Sequence, residues 1–192
     1  MSAKVEERDD RAVAVLVVDG SPTGGGRTRA VLDAIADAAR DSGGNVETVA
    51  LAEQNGAEQA LERLDRADAF VLGSPVYRAS AAAPLKQLLD RIPRGNDSEH
   101  GSPLAAKAVA IVHTGASLHH FLALDSLRDV LAGFFAAHVL PPGLYVPRDG
   151  FGDAGSLADP YAEQATRQGA ALVELARLLA ASSSLRLLRP QA

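Results

Sequence analysis

Apolar and polar positions along the chain fall into blocks with two alternating periods. Residues 12–18 read AVAVLVV, an uninterrupted apolar run rich in β-branched side chains. Such a run is apolar on both faces and predicts a central parallel strand covered by helices on either side. Residues 27–41 switch to a helical period, with Val31, Ile35 and Ala38 spaced by four and three and Ser42-Gly43-Gly44 as the stop. In residues 45–51, Val46, Val49 and Leu51 are interspersed with polar neighbours, which suits a strand nearer the sheet edge. Residues 58–66 predict a short amphipathic helix on Leu61 and Leu64. A third strand follows at 69–72, ended by Gly73-Ser74-Pro75. The next helix, 81–92, aligns Leu85, Leu88 and Leu89 and carries Pro84 in its first turn, where proline is tolerated. Residues 93–103, PRGNDSEHGSP, hold turn formers and charges and predict a mobile surface loop. A fourth strand at 108–113, the longest helix at 118–137, a fifth strand at 138–146, a glycine-rich loop at 147–160 and a last helix at 162–181 complete the order.

Strand and helix alternate five times, which predicts a parallel sheet with helices on both faces in one domain, residues 12–181. The charged stretch 1–11 reads as a disordered tail and 182–192 as a loosely held one. Right-handed crossovers place the ligand crevice at the carboxyl ends of the strands, so the loops 20–28, 74–80 and 114–118 should face one another. The long helix carries Phe121, Leu122, Leu124, Leu127, Val130, Leu131, Phe134 and Phe135, more than one narrow stripe. Two readings stay open for it: two buried faces, one of them against a second subunit, or a single wide core face.

Composition narrows the chemistry. A chain of 192 residues with 47% hydrophobic positions can bury a full core without a metal or partner. Its net charge of −5, with no basic block, argues against binding a nucleic-acid backbone. No apolar run approaches the roughly eighteen residues of a membrane span, and the charged start does not resemble a signal peptide. The expectation is a soluble, cytoplasmic protein without a membrane partner. Cysteine is absent, which removes thiol nucleophiles, cysteine-ligated metals, iron–sulfur clusters and dithiol centres. Redox chemistry, if present, must come from a bound cofactor.

The three loops have unusual composition. In the first, Ser21 and Thr28 offer hydroxyls, residues 24–28 offer backbone N–H groups through Gly26 and its neighbours, and Arg27 adds a charge. A glycine-rich turn leading into a helix is an anion site. As a Walker A loop it has Ser21 for the first glycine and Arg27 for the lysine; as G-x-G-x-x-G it fails at Arg29. A phosphomonoester fits better. The second loop, Pro75-Val76-Tyr77-Arg78, puts a rigid proline and an aromatic at a strand end, where backbone groups can read the edge of a planar heterocycle while Tyr77 covers its side. The third, Thr114-Gly115-Ala116-Ser117, offers close backbone approach and two hydroxyls for the same ring or its sugar chain. His119 and His120 are adjacent and cannot chelate one metal, and no metal site is expected. His113 reads as a structural histidine. No catalytic acid–base constellation is apparent, which suits hydride transfer between stacked rings, where proximity rather than a protein nucleophile is needed.

At these residues the sequence resembles the NAD(P)H-dependent FMN reductase family of flavodoxin-like proteins, over about residues 13–179. The resemblance rests on Gly20-Ser21-Pro22 with Thr28, and on Gly73-Ser74-Pro75-Val76-Tyr77 followed by Leu85-Lys86 and Leu89-Asp90. The run from Thr114-Gly115-Ala116-Ser117 through His119-His120-Phe121 to Asp125 completes it. It implies a flavodoxin-like three-layer sandwich with a five-stranded parallel sheet in order 2-1-3-4-5. It further implies FMN across the three loops, NADPH or NADH as hydride donor, and a homodimer or homotetramer formed through the helices after strands three and four. The third block is similar in particular to the reductases of two-component sulfonate monooxygenase systems, which adds a monooxygenase partner to free flavin, quinone or dye as acceptors. The chain departs from the family loop at Thr23, usually arginine, and at Gly26, usually serine, with Arg27 as the compensating charge. Some sulfonate-system members insert a tyrosine in the helix after the third loop, producing a π-bulge. Asp125-Ser126-Leu127-Arg128 lacks it, so the resemblance implies FMN held as a prosthetic group. The alternatives are a flavodoxin-type electron carrier and a P-loop-like nucleotide-binding protein.

Overall fold

The structure is a computed structural model that describes residues 11–93 and 101–189. β1 (Val13–Asp19) is followed by α1 (Gly26–Asp41), β2 (Gly44–Ala50), α2 (Gly56–Arg63) and β3 (Ala69–Tyr77). Then come β4 (Ser80–Ala81), α3 (Ala83–Arg91), β5 (Ala108–Gly115), α4 (Ala123–Asp129), β6 (His138–Val139), β7 (Leu144–Pro147) and α5 (Asp159–Ala181). The sheet runs β2-β1-β3-β5-β6, with β7 also parallel to β5 and β4 antiparallel to β3.

Alternation along the central strands fills two cores. Val13, Val15 and Val17 of β1, with Val71 and Val112, pack under α1 and α5. Leu16 and Val18, with Phe70, Leu72 and Ile111, pack against α2, α3 and α4. Both faces of the sheet are thus covered, as the unbroken apolar runs require. Among the described residues no helix is long and apolar enough to cross a membrane.

The sheet has seven strands, which corrects the five-stranded order 2-1-3-4-5. One cause is β3, which does not stop at Leu72 but continues through Gly73-Ser74-Pro75 to Tyr77 and folds back into β4. The other is the fifth strand expected at 138–146, which is split into β6 and β7. Between them lie Pro141 and Pro142, which have no N–H to give a neighbouring strand.

The helix expected over 118–137 is also corrected. The segment is a 3-10 turn at Leu118–His120, then α4, then a π-helical turn at Val130–Phe134. Leu124, Leu127, Leu131 and Phe135 are buried along it, while Leu118, Phe121, Leu122 and Phe134 are exposed. Its apolar residues therefore form two faces rather than one wide core face. The π-helical turn lies just beyond 125–128 and needs no inserted tyrosine, so the lack of that insertion no longer separates a bound from a released flavin.

Of the expected tails, residues 1–10 and 190–192 lie outside the described residues, as do 94–100 of the expected loop at 93–103. Arg11 is held by a forked pair of bonds to Asp68, at 2.8 and 2.9 Å, and Leu185–Leu187 form a 3-10 turn.

Candidate functional site

The ends of β1, β3 and β5 meet on one side of the sheet. Asp19 lies opposite Gly73 in the β1–β3 register, and the Gly20 N–H donates to the Gly73 carbonyl at 2.7 Å. Pro75 lies opposite Thr114 in the β3–β5 register. The first and third loops are joined by their side chains: Thr28 Oγ1 and Thr114 Oγ1 are 2.7 Å apart, and both residues are buried. Each hydroxyl has one proton and two lone pairs, so the pair uses one proton internally and keeps one for a ligand.

The first loop owes its shape to glycine. Gly24, Gly25 and Gly26 all have φ between 65° and 70°, a region that side chains disfavour. A Cβ at Gly25 or Gly26 would meet nothing within 4 Å, so the space above the loop is open. No side chain caps α1 and its first turn has no acidic residue. Its N-terminal N–H groups and the positive end of its dipole thus face that space. Arg27 is exposed, and its guanidinium lies 5.8 Å from the centroid of the Phe151 ring, in the loop after β7. Ser21 is buried and gives its N–H to Asp19 Oδ1 at 2.9 Å. Asp19 is itself fully buried. Burial pushes its carboxyl above the usual range, against the pull of the Ser21 and Gly25 N–H groups and of Arg29.

The second loop is a stiff hairpin. Tyr77 pairs with Ser80, and the two residues between them, Arg78 and Ala79, have φ of 52° and 60°. That is the backbone of a two-residue hairpin turn, made here without glycine. Ser74, fully buried, staples its base: its Oγ donates to the Pro75 carbonyl and accepts from the Ala82 N–H, each at 2.8 Å. Pro75 and Val76 are half-buried, and Tyr77 at the tip is 57% exposed, so it is not a core residue.

The third loop is shaped by a residue far away in sequence. Tyr145 on β7 donates its hydroxyl to the Ser117 carbonyl at 2.7 Å, and a Cβ at Gly115 would lie 2.0 Å from that hydroxyl. Only glycine fits there. Burial raises the Tyr145 hydroxyl above its ordinary value. Ala116 is exposed, and Ser117 Oγ lies 3.2 Å from His119 Nδ1. His113 is fully buried with Nδ1 3.0 Å from the Ser74 carbonyl; burial lowers its pKa more than the backbone of Ser74 and Ala123 raises it. It is a neutral structural histidine tying β5 to β3.

The twelve candidate residues therefore lie at the ends of β3 and β5, in the first turn of α1, or in the turns beside them, with Arg27 turned toward Phe151. Sequence reasoning missed Asp19, Tyr145 and Phe151 beside the site, and placed Ser74 in the second loop without its role as a staple. An aspartate closing a wholly apolar run was the available signal for the first; the others had none. Two clefts, of about 450 and 370 Å³, lie elsewhere, by Glu47, Arg63 and Arg66 and by Leu51, Pro84 and Arg91. The guanidinium of Arg63 is already engaged by Glu47 and the Gln59 carbonyl. Among the described residues no group of three or more histidine, aspartate or glutamate side chains is placed to hold a metal.

Known proteins resemble this chain in sequence and fold. An NADH-dependent FMN reductase, SfnF, of Pseudomonas putida is 34% identical over 77% of this chain and 84% of its own length. An NAD(P)H-dependent FAD/FMN reductase of Geobacillus thermodenitrificans is 29% identical over 58% of this chain and 56% of its own. Among solved structures, the apo form of the NADH:FMN oxidoreductase EMOB superposes with a TM-score of 0.73 at 24% identity, covering 91% of this chain and 94% of that one. A flavodoxin from the domain Archaea superposes at 0.59 with 17% identity, over 86% and 99%. These likenesses in structure support a flavodoxin-like α/β fold. The family model for NADPH-dependent FMN reductase matches residues 13–150, so the chain belongs to the NADPH-dependent FMN reductase family.

Proposed function

We propose that the protein is an NAD(P)H-dependent FMN reductase whose flavin lies across the three loops. The carrying observation is the contact of the first and third loops through Thr28 and Thr114, beside a glycine-lined α1 N-terminus open to solvent. The residues present fit the cofactor: the α1 N–H groups, Ser21, Gly26 and Thr28 would hold the phosphate, with the exposed Arg27 beside them as the compensating charge. Pro75, Val76, Tyr77 and Arg78 would flank the ring, with Thr114, Gly115, Ala116 and Ser117 on the adjoining loop. Bound there, FMN would supply the redox centre that accepts a hydride from NADH or NADPH. The chain contributes position rather than acid or base. The stapled hairpin would fix the ring edge, and the Tyr145 bond holds the Ser117 carbonyl in place.

Acceptors on this reading are free flavin, a quinone or dye, or a flavin-dependent monooxygenase, the last supported by the likeness of the third loop to sulfonate-system reductases. The exposed Leu118, Phe121 and Leu122 after β5 support a homodimer or tetramer, which the family resemblance would build on the segments after β3 and β5. The test is an absorption spectrum of the purified protein with FMN, before and after anaerobic NADH or NADPH. A flavin band that bleaches with either nucleotide is the expected result. Protein whose melting temperature and flavin fluorescence ignore FMN would overturn the reading. A carrier rather than an enzyme would bind FMN yet oxidise almost no NAD(P)H in steady state.

A further inference from the structure

Asp19 has no part in the flavin site described so far, yet it lies directly beneath its phosphate loop. The residue is 0% exposed. Its Oδ1 accepts the Ser21 N–H and its Oδ2 is buried without a hydrogen-bond partner, while the Gly25 N–H is close enough to favour the charged carboxylate. These N–H groups belong to the loop that opens α1, and no other side chain caps that helix. A buried carboxylate and a phosphate dianion would therefore share one small group of donors.

Little else offsets the charge. From α1, Arg29 and Asp33 face Asp19, and the two are paired with each other at 2.7 Å. From β2 and β3 its register neighbours are Ala50 and Gly73, which carry no charge, and Leu85 of α3 packs against Gly20. The loop itself, residues 20–26, contributes no titratable side chain. Arg27 can meet a second negative charge from the solvent side of the loop. In the buried layer beneath the loop, among the described residues, Asp19 is the one charge without an ion-pair partner, and a proton from solvent is the response that leaves the fold in place. With Oδ2 protonated, Oδ1 still accepts from Ser21 and the new O–H becomes a donor toward the loop.

We propose that Asp19 is a positioning residue for the flavin phosphate, taking up one proton from solvent as the phosphate dianion seats on residues 21–28. The proposal rests on the flavin reading above. It distinguishes FMN from riboflavin, which has the same ring and no phosphate.

The experiment is calorimetric titration of the full chain with FMN and with riboflavin in two buffers of different ionisation enthalpy. At about pH 7.5 free FMN is mostly dianion, since the second phosphate pKa is about 6. The expected result is close to one proton taken up per FMN and none per riboflavin. FMN affinity should weaken with rising pH by up to about tenfold per unit, and Asp19→Asn should abolish both the uptake and the slope. FMN binding without proton uptake overturns the inference and leaves the functional reading standing. Uptake that persists in Asp19→Asn also overturns it, because the proton then resides elsewhere. Failure of both flavins to bind overturns the functional reading and this inference with it. If Asp19→Asn does not fold, the contrast between FMN and riboflavin in the native chain decides alone.

Discussion

Left-handed backbone occurs in the loops after both β1 and β3, and the two loops use it in opposite ways. Gly24, Gly25 and Gly26 adopt it without a Cβ to strain, under open space, with α1's N–H groups behind them. Arg78 and Ala79 adopt it with side chains present, at a cost of about 1–2 kcal/mol per residue. That strain persists because Ser74 fixes both arms of the hairpin and the register with β5 fixes its base. The first loop is thus shaped to follow an anion, and the second to hold a flat surface still. A tail of phosphate tolerates small adjustments; a ring that must meet a nicotinamide at reacting distance does not.

Removing the staple should have the largest effect. Ser74→Ala strands the buried Ala82 N–H and should cost about 1–3 kcal/mol, measured by urea unfolding, while weakening FMN and riboflavin alike. Equal flavin affinity in the variant would remove the distinction between a rigid and an adaptable loop. Gly25→Ala comes next, at about 1–2 kcal/mol for a Cβ at φ 70°. It should weaken FMN far more than riboflavin, and parallel losses would show that the first loop touches the ring as well.

Asp19→Asn should give a smaller, pH-dependent shift. Folding raises the Asp19 carboxyl, so the unfolded chain ionises first and the native protein loses stability as pH climbs through the ordinary carboxylate range. Without flavin, the variant should melt above the native protein at neutral pH and level with it below about pH 3.5, where both states of the acid are protonated. A melting difference that ignores pH would mean the carboxyl is not the cause. Last, Ala79→Gly relieves strain but loosens the unfolded chain, a net gain of at most about 1 kcal/mol. Its informative readout is turnover: a slower enzyme with a higher melting temperature would tie the strained turn to ring placement.

Much of this was legible in the sequence because it depends on local pattern. The apolar strands, the three loops of odd composition and the glycine turn before α1 all follow from short-range rules. The failures share a cause. Arg78-Ala79 has none of the residues that mark a two-residue hairpin, so β3 was ended where its apolar run stopped. The break within 118–137 carries no proline, and periodicity alone does not distinguish an α-helical from a π-helical turn. Tyr145 reaches the third loop from 28 residues away, a contact that only the fold creates. Burial of Asp19 is likewise a tertiary fact.

The interrupted last strand has a consequence for how copies of this protein meet. A sheet edge recruits foreign strands in proportion to the length of unpaired backbone it displays. Here that border is divided between two residues of β6 and four of β7, separated by a stretch that includes two prolines. Neither piece is long enough to template a growing sheet. Self-association by strand recruitment is therefore discouraged along this border, and contacts between copies are left to side-chain surfaces, where they can be reversible.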